Sequence, residues 1–258
     1  MGPEVPLDRT RGVLRPDELP RFTRAEPVGA ASELVEWYWV PEWDLPPGVP
    51  SCQSVLSYPA ANLVIDVEEV TLHGATTRLS HRTLIDSGWA VGALLRPAGF
   101  AGLAADTAEL VDSERRIGAI DLRTRVARAM RGGLIAEATG IVGHWLVDRI
   151  GAPTPEMRLA NEMARLLMTD ATVLRVEDAA ARLNVSVRTL QRLAHRTVGL
   201  PPAAMTRRRR LQEAAQRVRE HPDEPLSAIA AQLGYTDQAH LANDFRNVLG
   251  FTASSYRG

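Results

Sequence analysis

Short apolar and β-branched runs, separated by Pro, Gly, Ser and Asp, dominate the amino-terminal part of the chain. Between residues 34 and 100 they read LVEWYWV, CQSVLSY, ANLVIDV, VTLHG, TRLSHRTLI and WAVGALLR. Runs of this length and composition, bounded by turn residues, are typical of β-strands. The pattern therefore predicts a small antiparallel β-barrel or sandwich.

The spacing of apolar residues becomes helical further along the chain. Residues 113–131 and 134–150 are rich in Ala, Leu and Arg at helical spacing, and would either cap the barrel or carry a signal or dimer interface. The motif GAPTP at 151–155 stops one helix and lets another begin. We predict an α+β protein with an amino-terminal regulatory domain (1–150), a linker (151–155) and an all-helical domain (156–258).

Seven helices are predicted in the carboxy-terminal domain, at 156–169, 177–183, 187–197, 202–220, 227–233, 237–248 and 253–257. Ser186 and Thr236 stand where a side-chain oxygen accepts hydrogen bonds from free backbone amides, which predicts that they cap the third and sixth helices. Pro201 and Pro202 suit the first turn of the long fourth helix.

One short device occurs twice in this domain. AAARLNVSVRTLQRLAHRTVG at 179–199 and IAAQLGYTDQAHLANDFRNVLG at 229–250 each run from a small-residue helix through a polar turn to a second helix and a Gly. This order is that of a helix-turn-helix unit. The long helix between the copies spans roughly 28 Å at about 1.5 Å per residue, and successive major grooves lie about 34 Å apart. One chain would therefore place two second helices in neighbouring grooves.

The outer faces of the two second helices carry side chains that match base edges. Arg pairs with guanine, and Gln or Asn with adenine, through two hydrogen bonds. The predicted base-contacting residues are Arg188, Thr189, Gln191, Arg192, His195, Gln238, His240, Asn243 and Arg246. The predicted phosphate contacts are Ser186, Arg196, Arg207, Arg208 and Thr236. A single helix pair of this kind as readily packs internally or binds protein, but two copies favour DNA.

Charge supports the same partner. Residues 155–258 hold 15 Arg and 11 acidic residues, a net charge of +4, whereas the remainder holds 15 Arg and 20 acidic residues, a net of −5. A basic part on an acidic body is expected when only one part meets a polyanion such as double-stranded DNA. The chain contains no Lys, which excludes a lysine Schiff base and a P-loop lysine.

Cysteine content and hydropathy predict a cytoplasmic protein. The only cysteine, Cys52, excludes an intramolecular disulfide and a Cys-cluster metal site. The first twenty residues lack the apolar core of a signal peptide. The uncharged run 45–65 is interrupted by four prolines, so no membrane association is expected.

The region 156–257 resembles the DNA-binding domain of the AraC/XylS family. The resemblance lies in AARLNVSVRTLQRLAHRTVG, RRRRLQEAAQRV and AIAAQLGYTDQAHLANDFRNVLGFTASSYR. It implies a bacterial transcription factor with base contacts from the helices at 187–197 and 237–248. Ala194 departs from the Phe usual in the family, and FTASSYR lacks a common Pro. The front half, in LVEWYWVPEWDLPPG, YPAANLVID and GALLRPAGF, is similar to a domain of uncharacterised function found on some of these regulators.

Trp37, Trp39 and Trp89 are candidate contacts for a small-molecule effector, with ordinary core packing as the alternative. His73 and His81 fall on neighbouring predicted strands without a carboxylate cluster, so neither a metal nor a cofactor is expected. We find no catalytic constellation. The main hypothesis is a sequence-specific transcription regulator, not an enzyme, whose other candidate partners are RNA polymerase and a second copy of the chain. The alternative is an enzyme or metabolite-binding protein with a DNA-tethering tail.

Overall fold

A computed structural model describes residues 21–55, 58–250 and 252–256. Its amino-terminal part contains, in chain order, β1 (Arg21–Ala25), a 3-10 turn (Gly29–Glu33), β2 (Val35–Asp44), β3 (Ser51–Val55), β4 (Asn62–Asp66), β5 (Val70–His73), β6 (Ser80–Leu84), β7 (Ser87–Leu95), α1 (Pro97–Leu103), β8 (Glu114–Arg116), α2 (Ile120–Arg131) and α3 (Ile135–Ile150).

Every strand pair in this part is antiparallel. The main sheet has the order β1-β2-β7-β4-β5-β8, and β3 and β6 form a separate two-stranded ribbon. One face of the main sheet packs on α2 and α3, because alternate residues such as Val40, Leu63 and Val91 share a buried cluster with Val126 and Leu146. The predicted antiparallel fold is confirmed.

The prediction of helix from residue 113 is wrong at its start. Residues 114–116 form β8, which pairs with β5, and the helix begins only at Ile120. The segment Glu-Arg-Arg offers no apolar stripe for a helix to bury, whereas Glu114 contacts His73 across the strands and Arg116 forms an ion pair with Glu69. The sequence patterns also did not predict β1 and α1.

The carboxy-terminal part is entirely helical in the residues described, as predicted. It contains α4 (Pro155–Thr169), α5 (Val176–Arg182), α6 (Val187–Val198), α7 (Pro202–Glu220), α8 (Leu226–Gln232), α9 (Gln238–Leu249) and α10 (Ala253–Tyr256). Within the described residues, no helix is both long and apolar enough to cross a bilayer.

Two separate cores divide these helices into two modules. The first core joins α4, α5 and α6 through residues such as Met163 and Leu190. The second joins α8, α9 and α10 through residues such as Leu241 and Phe245. Helix α7 serves both, since Met205 lies in the first core and Leu211 in the second. We call α4–α6 the first module and α8–α10 the second module.

The two helix-turn-helix turns share one backbone device. Asn184 and Gly234, at equivalent positions after α5 and α8, both have a positive φ, of 53° and 71°. Asn and Gly are the residues that adopt this left-handed conformation most readily. Each turn therefore changes the direction of the chain within a few residues, between α5 and α6 and between α8 and α9.

Candidate nucleic-acid interface

The polar face of helix α6 is held in place by the cap of the helix and by its buried side chains. The Ser186 hydroxyl accepts a hydrogen bond from the Thr189 amide at 3.0 Å, which confirms the predicted cap. Leu190, Leu193 and Ala194 are buried against the first core. The opposite face leaves four predicted base-contacting side chains exposed, namely Arg188, Gln191, Arg192 and His195. Thr189 is half-buried, with its hydroxyl 2.9 Å from the Ser186 hydroxyl.

Helix α9 is built in the same way but capped by a different residue. The carboxylate of Asp237, rather than Thr236, accepts the His240 amide at 2.8 Å. The second turn is one residue longer, so Asp237 occupies the cap position and the predicted cap at Thr236 is wrong. Leu241 and Phe245 are buried. The exposed face carries Gln238, His240, Asn243 and Arg246.

The first two arginines of the 207–210 run are engaged within the protein. The Arg207 guanidinium makes two hydrogen bonds, of 3.0 and 2.6 Å, to the carboxylate of Asp244. Those bonds raise the pKa of Arg207. Asp244 is only 3% exposed, so it does not lie on the exposed face of α9. Arg208 is 5% exposed and donates to the Thr76 carbonyl at 2.8 Å, and burial lowers its pKa to about 10.

The other two arginines have structural contacts as well. Arg209 is fully buried and donates to the carbonyls of Asp170 and Val173, the latter at 2.8 Å. Arg210 lies 4.0 Å from the centroid of the Tyr235 ring, in a cation–π contact. Arg208 is therefore not available to a phosphate in this conformation, contrary to expectation. Arg207 remains half-exposed but paired.

Arg196 is the remaining basic phosphate candidate. It lies in the last turn of α6, and its guanidinium is 2.9 Å from the carboxylate of Glu156 on α4. Both side chains are more than half exposed. Exposed ion pairs of this kind are weak, so the pairing does not prevent Arg196 from contacting another anion.

The three tryptophan candidates have different surroundings. Trp37 is 5% exposed and packs edge-on against Tyr58, with ring centroids 4.8 Å apart. Trp39 donates to the Asn62 side chain at 2.9 Å and covers Gly92, where an added Cβ would lie 2.0 Å from its ring. These two side chains are engaged in packing within the domain.

Trp89, by contrast, lines an open cleft between the main sheet and the β3–β6 ribbon. The cleft has a volume of about 780 Å³. Its walls combine the aromatic side chains of Trp43 and Trp89 with charged and polar groups from Arg21, Glu42 and Gln53. Such a mixture suits a ligand that carries both an apolar surface and hydrogen-bonding groups.

His73 forms a polar cluster at the other end of the sheet. Its Nδ1 lies 2.9 Å from Glu114 and 3.2 Å from the Arg82 guanidinium. Burial and the neighbouring Arg82 lower the pKa of His73, against the opposite effect of Glu114. Among the residues described, no group of three or more His, Cys, Asp or Glu side chains is arranged to hold a metal ion.

Comparison with known families identifies the two parts of the chain. Residues 179–258 match a helix-turn-helix domain family. This part of the chain is an AraC-type helix-turn-helix domain. Residues 23–115 match a domain of unknown function, DUF6597. The presence of the AraC-type domain supports the conclusion that the protein is a DNA-binding transcription regulator. No curated protein matches the chain.

Several solved structures resemble this chain. The carboxy-terminal domain of AraT, a response regulator from Geobacillus stearothermophilus, is 23% identical with a TM-score of 0.35, over 40% of this chain and 84% of that one. An AraC-type regulator from Chromobacterium violaceum is 25% identical with a TM-score of 0.34, over 37% and 86%. ToxT from Vibrio cholerae O395 is 12% identical with a TM-score of 0.41, over 92% and 95%.

Proposed function

We propose that the protein is a sequence-specific transcription regulator in which α6 and α9 enter successive major grooves of one DNA duplex. The observation that carries the proposal is the pair of exposed polar faces, one on each second helix. Both helices bury their apolar side in their own module. In the part of the chain that the structure describes, the polar side chains on these two faces are exposed, apart from the half-buried Thr189.

The linking helix provides a suitable spacing. Helix α7 is continuous over 19 residues, which corresponds to roughly 28 Å at about 1.5 Å per residue. Its two halves are anchored in different cores, so the modules lie on one rod. This length approaches the separation of about 34 Å between neighbouring major grooves.

The residues have separate roles in this proposal. Arg188 and Arg192 pair with guanine edges, Gln191 with adenine, and His195 and Thr189 add contacts at the same groove. The base edges of the second groove are contacted by Gln238, Asn243, His240 and Arg246. Ser186 and Thr236, near the positive ends of the α6 and α9 dipoles, contact the flanking phosphates, and Arg196 contacts a phosphate through its own charge. The second face carries one Arg, so it contributes less electrostatic affinity.

Control through the amino-terminal domain belongs to the same proposal. A small-molecule effector binds in the cleft of about 780 Å³, and of the three candidate tryptophans it is Trp89 that lines this cleft. The proposal also includes contacts with RNA polymerase and with a second copy of the chain. It places the protein in the cytoplasm.

The test begins with selection of bound fragments from random DNA, which defines the preferred site and its length. Arg192→Ala should then weaken binding to that site by about 1–3 kcal/mol, or about 5- to 150-fold, and relax discrimination at one base position. Arg131→Ala is the control, because Arg131 is an exposed arginine on α2 of the other domain. Unchanged specific binding by Arg192→Ala in a fluorescence titration would refute the proposed face.

A further inference from the structure

The amino-terminal domain holds the first module through several contacts. Apolar residues of that domain, including Tyr58, Ala75 and Val111, pack into the first core. The Thr107 hydroxyl donates to the His195 carbonyl at 2.9 Å, near the end of α6. The Asn161 side chain accepts from the Ala98 amide at 3.0 Å. The first module is thus built into the domain interface.

The loop of residues 74–79, between β5 and β6, continues from the first module to the second. Ala75 lies fully buried in the first core. Four residues later, Leu79 packs against the second core, and its amide donates to the Val248 carbonyl of α9 at 3.1 Å. Between them, the Thr76 carbonyl accepts from Arg208 of α7. We call this segment the bridging loop.

The bridging loop is firmly attached to its own domain. The Asp112 carboxylate accepts from the Thr77 amide at 2.7 Å and from its hydroxyl at 2.5 Å. The Gly74 amide donates to the Ser113 carbonyl at 3.0 Å. A Cβ added to Gly74 would lie 1.8 Å from the Leu110 carbonyl oxygen, so only Gly allows this approach. The loop therefore moves with the amino-terminal domain.

Its contact with α7 and the second module is weak by comparison. Leu79 is only partly buried, and within the described residues it is the one apolar side chain of the amino-terminal domain in the second cluster. Beside it, Nη1 of Arg208 and the Thr76 hydroxyl are buried without a hydrogen-bond partner in the structure. Buried donors without partners oppose the contact that buries them. Separation here costs less than separation at the first module.

We infer that the bridging loop is a latch that fixes the second module relative to the amino-terminal domain, and that its release lets α7 bend between its two anchored halves, so that the second module reorients while the first stays docked. Leu79 leads directly into β6, whose Leu84 lines the cleft together with Ser51 and Gln53 of β3. A shift of the ribbon is therefore passed along β6 to the contact of Leu79 with α9.

The latch is tested without DNA by distance measurements between spin labels. In a Cys52→Ser background, labels at Arg131→Cys and Asn247→Cys, both exposed positions, report α2 against the second module. We expect one narrow distance distribution, which broadens or shifts when Leu79→Asp places a charge against the second core. Arg78→Asp, at the adjacent exposed position, should keep it narrow.

A second label pair separates the latch from general loosening. Labels at Arg131→Cys and Gln191→Cys report α2 against the first module, and their distribution should stay narrow in Leu79→Asp. Identical distributions for Leu79→Asp and the parent at the second module would overturn the inference. Equal broadening at both modules would overturn it as well.

The functional arm rests on the proposed DNA binding. In duplexes derived from the selected site, moving the second half-site by two base pairs rotates it by about 70°. We expect the parent to lose at least about tenfold in affinity and Leu79→Asp less than about threefold. Equal losses contradict the latch. If neither protein binds the duplex, the proposed function fails, and the spin-label distances still decide the latch.

Discussion

Gly199 and Gly250, which end α6 and α9, provide a matched pair for measuring how strongly the first module is docked. Both occupy the left-handed region, with φ of 81° and 79°. An Ala in this conformation brings its Cβ close to a carbonyl oxygen, at a cost of roughly 1–2 kcal/mol. Gly199→Ala and Gly250→Ala therefore share one local cost.

The surroundings of the two positions differ. A Cβ on Gly199 would lie 2.6 Å from the Thr107 carbonyl oxygen and 2.9 Å from Val111, whereas on Gly250 it would meet nothing within 4 Å among the residues that the structure describes. Relief of the clash has to move backbone, which breaks the hydrogen bond from Thr107 to His195, worth about 1 kcal/mol. It also separates Val111 from the first core. We expect about 2–4 kcal/mol for Gly199→Ala and about 1–2 kcal/mol for Gly250→Ala.

Urea unfolding followed by circular dichroism gives both values, because a shift in midpoint at constant slope reports a change in stability. The difference between the two variants isolates the domain contact, since the local conformational cost cancels. Equal destabilisation by Gly199→Ala and Gly250→Ala would show that the Thr107 segment does not restrain the first module. The asymmetric docking of the two modules would then be refuted.

Two further variants test the interior of the protein. Arg207→Ala should lower the free energy of unfolding by about 2–3 kcal/mol, because it leaves the buried carboxylate of Asp244 without its charged partner, while solvent screens the half-exposed guanidinium. Arg207→Lys should lower it less. Equal thermal stability of the parent, Arg207→Ala and Arg207→Lys would contradict this. The lowered pKa of His73 means that the folded state disfavours its protonation, so its contribution to stability is complete above pH about 6.5 and declines as the pH falls. His73→Gln should flatten that decline between pH 7 and 5 in urea titrations, and parallel curves would refute the sign.

The helices of the carboxy-terminal domain were predictable because their signals are local. The apolar spacing, the Ser186 cap and the closing Gly199 all lie within one element and its flanks, and the structure places them as expected. The wrong cap at Thr236 has a local cause too. Thr and Asp stand side by side, both side chains accept hydrogen bonds, and only the angle of entry into α9 selects Asp237.

Other features depend on contacts between distant segments. The segment at 114–116 is a strand because β5 offers it an edge, which composition does not reveal. Helical spacing predicts a surface position for Arg208, yet the carbonyl that accepts its hydrogen bond comes from Thr76, 132 positions away. Trp37 and Trp39 lie on one face of β2, as their alternation predicts. Their contacts, Tyr58 and Asn62, lie outside β2, so the strand pattern does not show that these two side chains are engaged in packing while Trp89 lines the cleft.

The two helix-turn-helix units are equivalent in sequence but differ in their contacts with the amino-terminal domain. Their turns and closing glycines have the same backbone conformation, yet among the described residues a Cβ on Gly199 would meet the neighbouring domain within 4 Å and one on Gly250 would not. The cause is that the amino-terminal domain is not duplicated, so α9 meets it through the bridging loop and not through a second copy of the surface that docks α6. A change in that domain therefore acts unequally on α6 and α9, and a rotation of the second module against the first is the response that this inequality favours.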